Sequence, residues 1–76
     1  MKFGEYSMAH LVNHGFITLT GGNNGEPLYV KARNIVSMGH HHQNGSYVWT
    51  PNENFWVAET IEQITELLDA VHPEFL

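Results

Sequence analysis

The fold is decided by Phe16–Lys31, which reads FITLTGGNNGEPLYVK. Its two ends, 16–20 and 27–31, are rich in β-branched and aromatic residues that alternate with other residues, as in half-buried strands. Between them, Asn24-Gly25 is the strongest short sequence signal for a hairpin turn, and Pro27 is tolerated as the first residue of a strand. We therefore predict a β-hairpin with strands over 16–20 and 27–31.

The same alternation of strands and turns continues to residue 58. Ala32–Asn34 and Pro51–Asn54 have the composition of turns, and Asn44-Gly45 marks a second hairpin. The strands predicted around these turns cover 35–38, which extends toward His42 in one interpretation, 46–50 and 55–58. Short connections favour neighbouring strands as partners, so the sequence predicts a small antiparallel sheet or half-open barrel of about five strands.

A C-terminal amphipathic helix is predicted over 60–72. Thr60 and Gln63 have the spacing of a capping box, and Pro73 ends the helical pattern. The apolar residues recur at intervals of three and four: Ile61, Ile64, Leu67, Leu68 and Val71. In the N-terminal segment 1–15, Ser7–His14 also has helical spacing. The chain, 1–76, is thus expected to be one α+β domain with its strands in 16–58.

Composition limits the classes of function. The chain has 76 residues, no cysteine, three Lys and Arg, eight Asp and Glu, and a net charge of −5. The lack of cysteine excludes disulfides, thiolate metal sites and thiol nucleophiles. Three cations are too few for direct nucleic-acid binding or for an acidic membrane surface, and no apolar run reaches membrane-spanning length. The N-terminus also lacks the apolar block of a signal peptide, so an acidic cytoplasmic protein is expected.

Alternation along the strands divides their side chains into two sets. The first is largely aliphatic and forms the expected core: Ile17, Leu19, Leu28, Val30, Val48, Phe55 and Val57. The second is aromatic and hydroxyl-bearing: Phe16, Thr18, Thr20, Tyr29, Tyr47, Trp49 and Trp56. The second set is either covered, by the N-terminal segment or by a second copy, or exposed as an interaction surface, because Tyr and Trp are enriched at binding hot spots. The partner-binding anchors expected on such a surface are Tyr6, Tyr29, Tyr47, Trp49 and Trp56.

Three consecutive histidines, His40–His42, precede the second hairpin turn. Neighbouring strand residues point to opposite faces, so only His40 and His42 can share a metal ion, with His10 or His14 as a third ligand. No zinc-binding motif accompanies them, and we assign no metal site. The histidines form either a polar hairpin arm or a pH-responsive arm, which is favoured over a metal site because imidazoles titrate near pH ~6. No catalytic constellation or cofactor motif is present, so we expect neither enzymatic activity nor a cofactor.

The segment from Phe16 to Leu68 resembles the small flagellar FlbD/SwrD-like family of bacterial and phage proteins. The matching pieces are ITLT at 17–20, NGEP at 24–27, NIVS at 34–37, GSYV at 45–48 and FWVAET at 55–60. The start of the chain is also similar to small phage inhibitors of type I CRISPR complexes, through Met1-Lys2-Phe3, Tyr6, Ala9-His10-Leu11 and Lys31-Ala32-Arg33. The second resemblance implies a protein that docks on a host complex.

The leading hypothesis is a non-enzymatic protein-binding module of phage or prophage type. Such a module would dock on a host protein complex and inhibit or modulate it, as an anti-CRISPR protein does. Two alternatives stay open. One is a homo-oligomeric assembly protein, or FlbD-like flagellar protein, that forms homodimers or larger assemblies through an edge strand, and the other is a histidine-based metal or pH sensor.

Overall fold

A computed structural model of the chain describes residues 14–71. Within these residues lie five strands, a 3-10 turn and one helix. Their bounds are Phe16–Thr20 (β1), Pro27–Lys31 (β2), Ala32–Asn34 (the 3-10 turn), Ser37–His40 (β3), Ser46–Trp49 (β4), Asn54–Val57 (β5) and Ile61–Asp69 (α1). Tyr6, His10 and nearly all of the Ser7–His14 segment lie outside the described residues.

The strands form two antiparallel sheets that meet along one seam. β1 pairs with β2, and the second sheet has the order β3-β4-β5. At the seam, Gly21 forms a bridge to Val57, and the Gly22 N–H donates to the Trp56 carbonyl at 2.8 Å. The predicted α+β fold, with five strands and a C-terminal helix, is confirmed. Within residues 14–71 the strands do not close into a barrel.

Three strands differ from the prediction in their bounds. β5 covers Asn54–Val57 rather than 55–58, and at one end each of β3 and β4 local hydrogen bonds replace ladder bonds. β3 begins at Ser37 rather than Ile35, since the Ile35 N–H donates to the Ala32 carbonyl at 3.1 Å and closes the 3-10 turn. β4 ends before Thr50, whose N–H donates to the Glu53 carbonyl at 2.8 Å across the following turn. Both strands are therefore shorter than their β-forming residues alone would allow.

The two predicted hairpin glycines have the backbone conformation that their turns require. Gly25 and Gly45 both have φ of +72°, a left-handed conformation that costs little only for glycine. Gly45 has a second constraint, because a Cβ at this position would collide with the carbonyl oxygen of Val57. A side chain at Gly25 would meet no atom within 4 Å. Both turns thus favour glycine for its backbone conformation, and Gly45 needs it also because of its close approach to Val57.

The helix is capped as its sequence predicts. The Thr60 hydroxyl accepts from the Gln63 N–H at 3.1 Å, and the Gln63 side-chain oxygen accepts from the Thr60 N–H at 2.9 Å. This capping box places Thr60 before the helix, so α1 begins at Ile61. The helix ends at Asp69, three residues earlier than predicted.

The core lies between the inner faces of the two sheets and α1. Its buried apolar residues are Ile17, Leu19, Val30, Ala32, Val48, Val57, Ile64 and Val71. Half-buried residues pack around them: Leu28, Ile35, Met38, Phe55, Leu67 and Leu68. The whole predicted aliphatic set belongs to one or other group. Removing this apolar surface from water stabilises the fold by about 25 cal/mol per Å².

A polar cluster around Glu59 fixes the seam to the start of the helix. The Glu59 carboxylate accepts from both the N–H and the hydroxyl of Thr20, each at 2.8 Å. The buried Ser46 hydroxyl donates to the Glu59 carbonyl at 2.8 Å, and the Ala58 N–H donates to the Thr20 carbonyl at 2.8 Å. One short segment between β5 and α1 therefore joins both sheets to the helix.

Candidate binding face

The outer face of the three-stranded sheet carries a cluster of ring side chains that contact one another. Strand alternation sends Tyr47 and Trp49 of β4 outward, while Val48 between them is buried. Trp56 of β5 lies opposite Tyr47 in the ladder and shares this face. His41, just beyond β3, contacts both rings. We call these four residues, His41, Tyr47, Trp49 and Trp56, the aromatic face.

Trp56 is the packed centre of this face. Its ring stacks on His41 with centroids 4.1 Å apart and planes 9° apart. A Cβ on Gly22, across the seam, would collide with the indole, so the Gly22 backbone lies against this ring. The indole Nε1–H donates to the Asn44 carbonyl at 2.8 Å. The indole N–H of Trp56 is hydrogen-bonded, and its ring has neighbours on two sides. The main role of Trp56 is therefore to support the other rings of the face.

Trp49 is the ring most open to solvent on this face, at 37% exposure. One edge lies over Gly39 of β3, with a ring carbon 3.5 Å from the place where a Cβ would stand. Its centroid is 5.4 Å from that of Tyr47, and the planes are inclined by 40°. Glycine at position 39 lets the indole lie close to the sheet, so Trp49 and Tyr47 together form a broad ring surface.

His41 links the hairpin turn to the rings, and its contacts favour the neutral ring. Its ring centroid lies 4.6 Å from that of Tyr47 and 4.3 Å from that of His42. Its Nδ1 accepts from the Gln43 N–H at 3.0 Å, which requires a lone pair on that nitrogen. Desolvation by burial, together with the nearby charge of His42, lowers the pKa of His41 below its usual 6.5.

The aromatic face lies on an uncharged part of the molecule. The outward positions of β3, β4 and β5 are Ser37, Gly39, Tyr47, Trp49, Asn54 and Trp56, none of which carries a charge. The exposed acids of the helix, Glu62, Glu66 and Asp69, belong to α1, which packs on the inner side. Apolar contact rather than charge is thus the means by which this face can bind another molecule.

The predicted anchors do not form a single surface. Tyr47, Trp49 and Trp56 are brought together, whereas Tyr29 lies on β2 of the other sheet and is 55% exposed. Tyr29 lines a cleft of about 280 Å³ beside Phe16 and the turn after β4. Tyr6 lies outside the described residues, so its role stays a prediction. The second, aromatic set is therefore divided between two sheets.

His41 is not among the predicted anchors, although it belongs to the aromatic face. The sequence pattern indicates His40 and His42 as a metal pair, whereas the structure stacks His41 on His42 and on Trp56. The sequence does contain a signal for this position of His41. With Asn44-Gly45 as the turn, strand alternation places His41 on the same side of the sheet as Tyr47. Within residues 14–71, no group of three or more His, Asp or Glu side chains is placed to hold a metal ion.

Comparison of the chain with models of protein families, with curated proteins and with solved structures gave no match. Across residues 14–71, no helix combines the length and apolar character needed to cross a membrane. The functional interpretation of the aromatic face therefore depends on its geometry and chemistry.

Proposed function

We propose that the protein is a non-enzymatic docking module that binds a partner protein through the aromatic face. The observation that carries the proposal is the uncharged ring surface of Trp49 and Tyr47, seated on Gly39 and supported by the Trp56–His41 stack. Trp and Tyr are the residues most enriched at binding hot spots, because they bury a large area at low cost in conformational entropy. Trp49 is the principal anchor, and Tyr47 is the second.

The chemistry of the face also defines its partner. A protein surface with an exposed apolar or aromatic patch is complementary to this face, whereas an anionic ligand is not. The two described cations, Lys31 and Arg33, lie on β2 and the 3-10 turn, away from the rings. Binding should accordingly change by less than about threefold between ~50 and ~300 mM salt, in contrast to the steep loss seen with nucleic acids.

The experiment compares partner capture by three versions of the tagged full chain from bacterial lysate. A specific partner is expected to be retained by the native chain and by Tyr29→Ala, and lost with Trp49→Ala. Tyr29→Ala is the control, because it removes an even more exposed ring from the other sheet. Circular dichroism verifies that each variant folds. Equal capture by the native chain and Trp49→Ala, with folding intact, would rule out Trp49 as an anchor.

The N-terminal resemblance makes a type I CRISPR complex the first partner to test. We propose that docking inhibits such a complex, and a purified complex allows the step to be measured directly. The native chain is expected to bind and to reduce target-DNA binding, and Trp49→Ala to do neither. Binding without inhibition would keep the docking function and remove the inhibitory one, whereas no binding would remove this complex as the partner.

A further inference from the structure

β3 is an edge strand, and its register shows which backbone groups face outward. Among the described strands it pairs with β4 alone, with Gly39 opposite Tyr47. The His41 N–H donates to the Gly45 carbonyl at 3.2 Å, so His41 and Gly45 form a hydrogen-bonded pair of the ladder. Because such pairs alternate with non-hydrogen-bonded pairs, Gly39 and Tyr47 also form a hydrogen-bonded pair. The N–H and C=O groups of Met38 and His40 therefore point away from β4, toward the open edge.

This edge lacks the features by which edge strands usually resist pairing. Residues 36–40 include no proline and no Lys, Arg, Asp or Glu. His40 is exposed, and Val36 beside the strand is 63% exposed. The chain as a whole has a net charge of −5, so two copies repel one another over most of their surface. An uncharged edge is the place where a second copy can approach at low electrostatic cost.

An apolar groove of about 330 Å³ accompanies the open edge. It lies between β3 and α1 and is lined by Ile35, Val36, Met38 and Leu68, among others. Strand addition to a sheet edge gains affinity from main-chain hydrogen bonds and specificity from side-chain pockets beside them. The β3 edge offers both features, because Met38 both lines the groove and presents its main-chain groups at the open edge.

We propose that a second copy of this chain occupies the β3 edge, by antiparallel pairing of β3 with β3. Pairing about Gly39 places Met38 of each copy opposite His40 of the partner subunit and forms four main-chain hydrogen bonds. A register centred on Met38 would instead need the Val36 N–H, which already donates to the Trp49 carbonyl at 2.8 Å. The Gly39 register uses only groups that point outward.

The dimer also enlarges the aromatic face. The Trp49 ring lies over Gly39, so the two Trp49 rings flank the two-fold axis on the outer face of a six-stranded sheet. A partner with two matching sites would then gain avidity without any new kind of contact. Self-association and capture of another protein are measured separately, so either can fail while the other holds.

Introduced cysteines test the register, because the chain contains none of its own. A Cβ on Gly39 meets only the Trp49 ring, at an ordinary contact distance of 3.5 Å. In the proposed dimer, Gly39→Cys places two thiols in a non-hydrogen-bonded pair with Cα atoms about 4.5 Å apart, within disulfide range. Ser37→Cys is the matched control, because the two copies of that position are ~13 Å apart. Mild oxidation is expected to cross-link most of the first variant and little of the second.

Sedimentation velocity tests the native chain and does not depend on a variant at Gly39. At ~100 µM, a dimer with a Kd of about 10 µM is mostly formed. His40→Lys places a charge on the edge strand, which opposes pairing although it lowers the net negative charge, and this variant is expected to be a monomer. His42→Lys makes the same charge change outside the strand and is expected to stay dimeric. A monomeric native chain, a dimer unaffected by His40→Lys, or equal cross-linking of both cysteine variants would overturn the proposal.

Discussion

The outer faces of the two sheets use similar residues in opposite ways. On the two-stranded sheet, outward groups are tied to neighbours: the Thr20 hydroxyl donates to Glu59, and the Lys31 Nζ lies 5.2 Å from the centroid of the Phe16 ring. On the three-stranded sheet, the outward rings contact one another and Trp49 still faces solvent. The first face combines these polar contacts with one separate exposed ring, Tyr29, whereas the second presents rings that contact one another.

Glycine accounts for much of this difference. Gly39 and Gly22 provide flat backbone against which the Trp49 and Trp56 rings lie. Aromatic rings over strand glycines cover backbone that would otherwise be exposed to water. The three-stranded sheet therefore achieves order on its outer face by ring-to-backbone packing, without the charged contacts that the two-stranded sheet uses.

The largest loss of stability is expected for a substitution in the hairpin between β3 and β4. Gly45→Ala requires a left-handed alanine and drives its Cβ into the Val57 carbonyl. We expect a loss of about 3 kcal/mol or more in the free energy of unfolding, measured by urea denaturation. Gly25→Ala is the matched control, with the same φ of +72° and no neighbour within 4 Å, and should cost about 1–2 kcal/mol. Equal losses for the two variants would contradict the close approach of Gly45 to Val57.

A smaller effect tests the polar seam of the two-stranded sheet. Glu59→Ala removes the acceptor for the N–H and the hydroxyl of Thr20, each bonded at 2.8 Å. Leaving a partly buried donor without its partner should cost about 2 kcal/mol in the free energy of unfolding. Glu62→Ala removes an exposed acid from α1 and should change it by less than about 0.5 kcal/mol.

A double-mutant cycle shows whether Glu59 acts through Thr20. Thr20→Val deletes the hydroxyl, so the losses from Thr20→Val and Glu59→Ala should overlap rather than add. Strictly additive losses would mean that the carboxylate stabilises the seam through the Thr20 N–H, which Thr20→Val keeps, and not through the hydroxyl. The comparison between the faces would then lose its clearest polar contact.

The regular part of the fold was predictable from local sequence. Alternation in Phe16–Thr20 and in Ser46–Trp49, two Asn-Gly turns and the Thr60–Gln63 capping box are signals carried by neighbouring residues. The division into two sheets was not predictable in this way. It depends on the contact of Gly21 with Val57, residues far apart in the chain, and no local pattern shows where one sheet ends.

The aromatic face was predictable only in part. Alternation correctly placed Tyr47, Trp49 and Trp56 on one side, because these residues lie on adjacent strands. Tyr29 was grouped with them only because alternation cannot show which sheet a strand joins. The stack of His41 on Trp56 needs the hairpin register and the space left by glycine, so it emerges only from the assembled sheet.

The smallest expected effect concerns the pH dependence of the three-stranded sheet. Burial against the rings and the neighbouring His42 lower the pKa of His41 below the 6.5 of an unfolded chain. The native state then binds fewer protons, so the contribution of His41 to stability is complete above pH 6.5 and is lost as pH falls through the native pKa. His41→Gln should flatten the dependence of the urea midpoint on pH between ~5 and ~7, and a pH dependence unchanged by this variant would contradict the role of His41.

Titration of His41 by NMR decides between two opposing forces at the same ring. The Trp56 π face attracts an imidazolium and would raise the pKa, whereas burial and the Gln43 N–H on Nδ1 favour the neutral ring. A native pKa below 6.5 means that desolvation dominates and that acid weakens the stack. A value above 6.5 would mean that the cation–π attraction is stronger, and the aromatic face would then tighten, rather than loosen, as the pH falls.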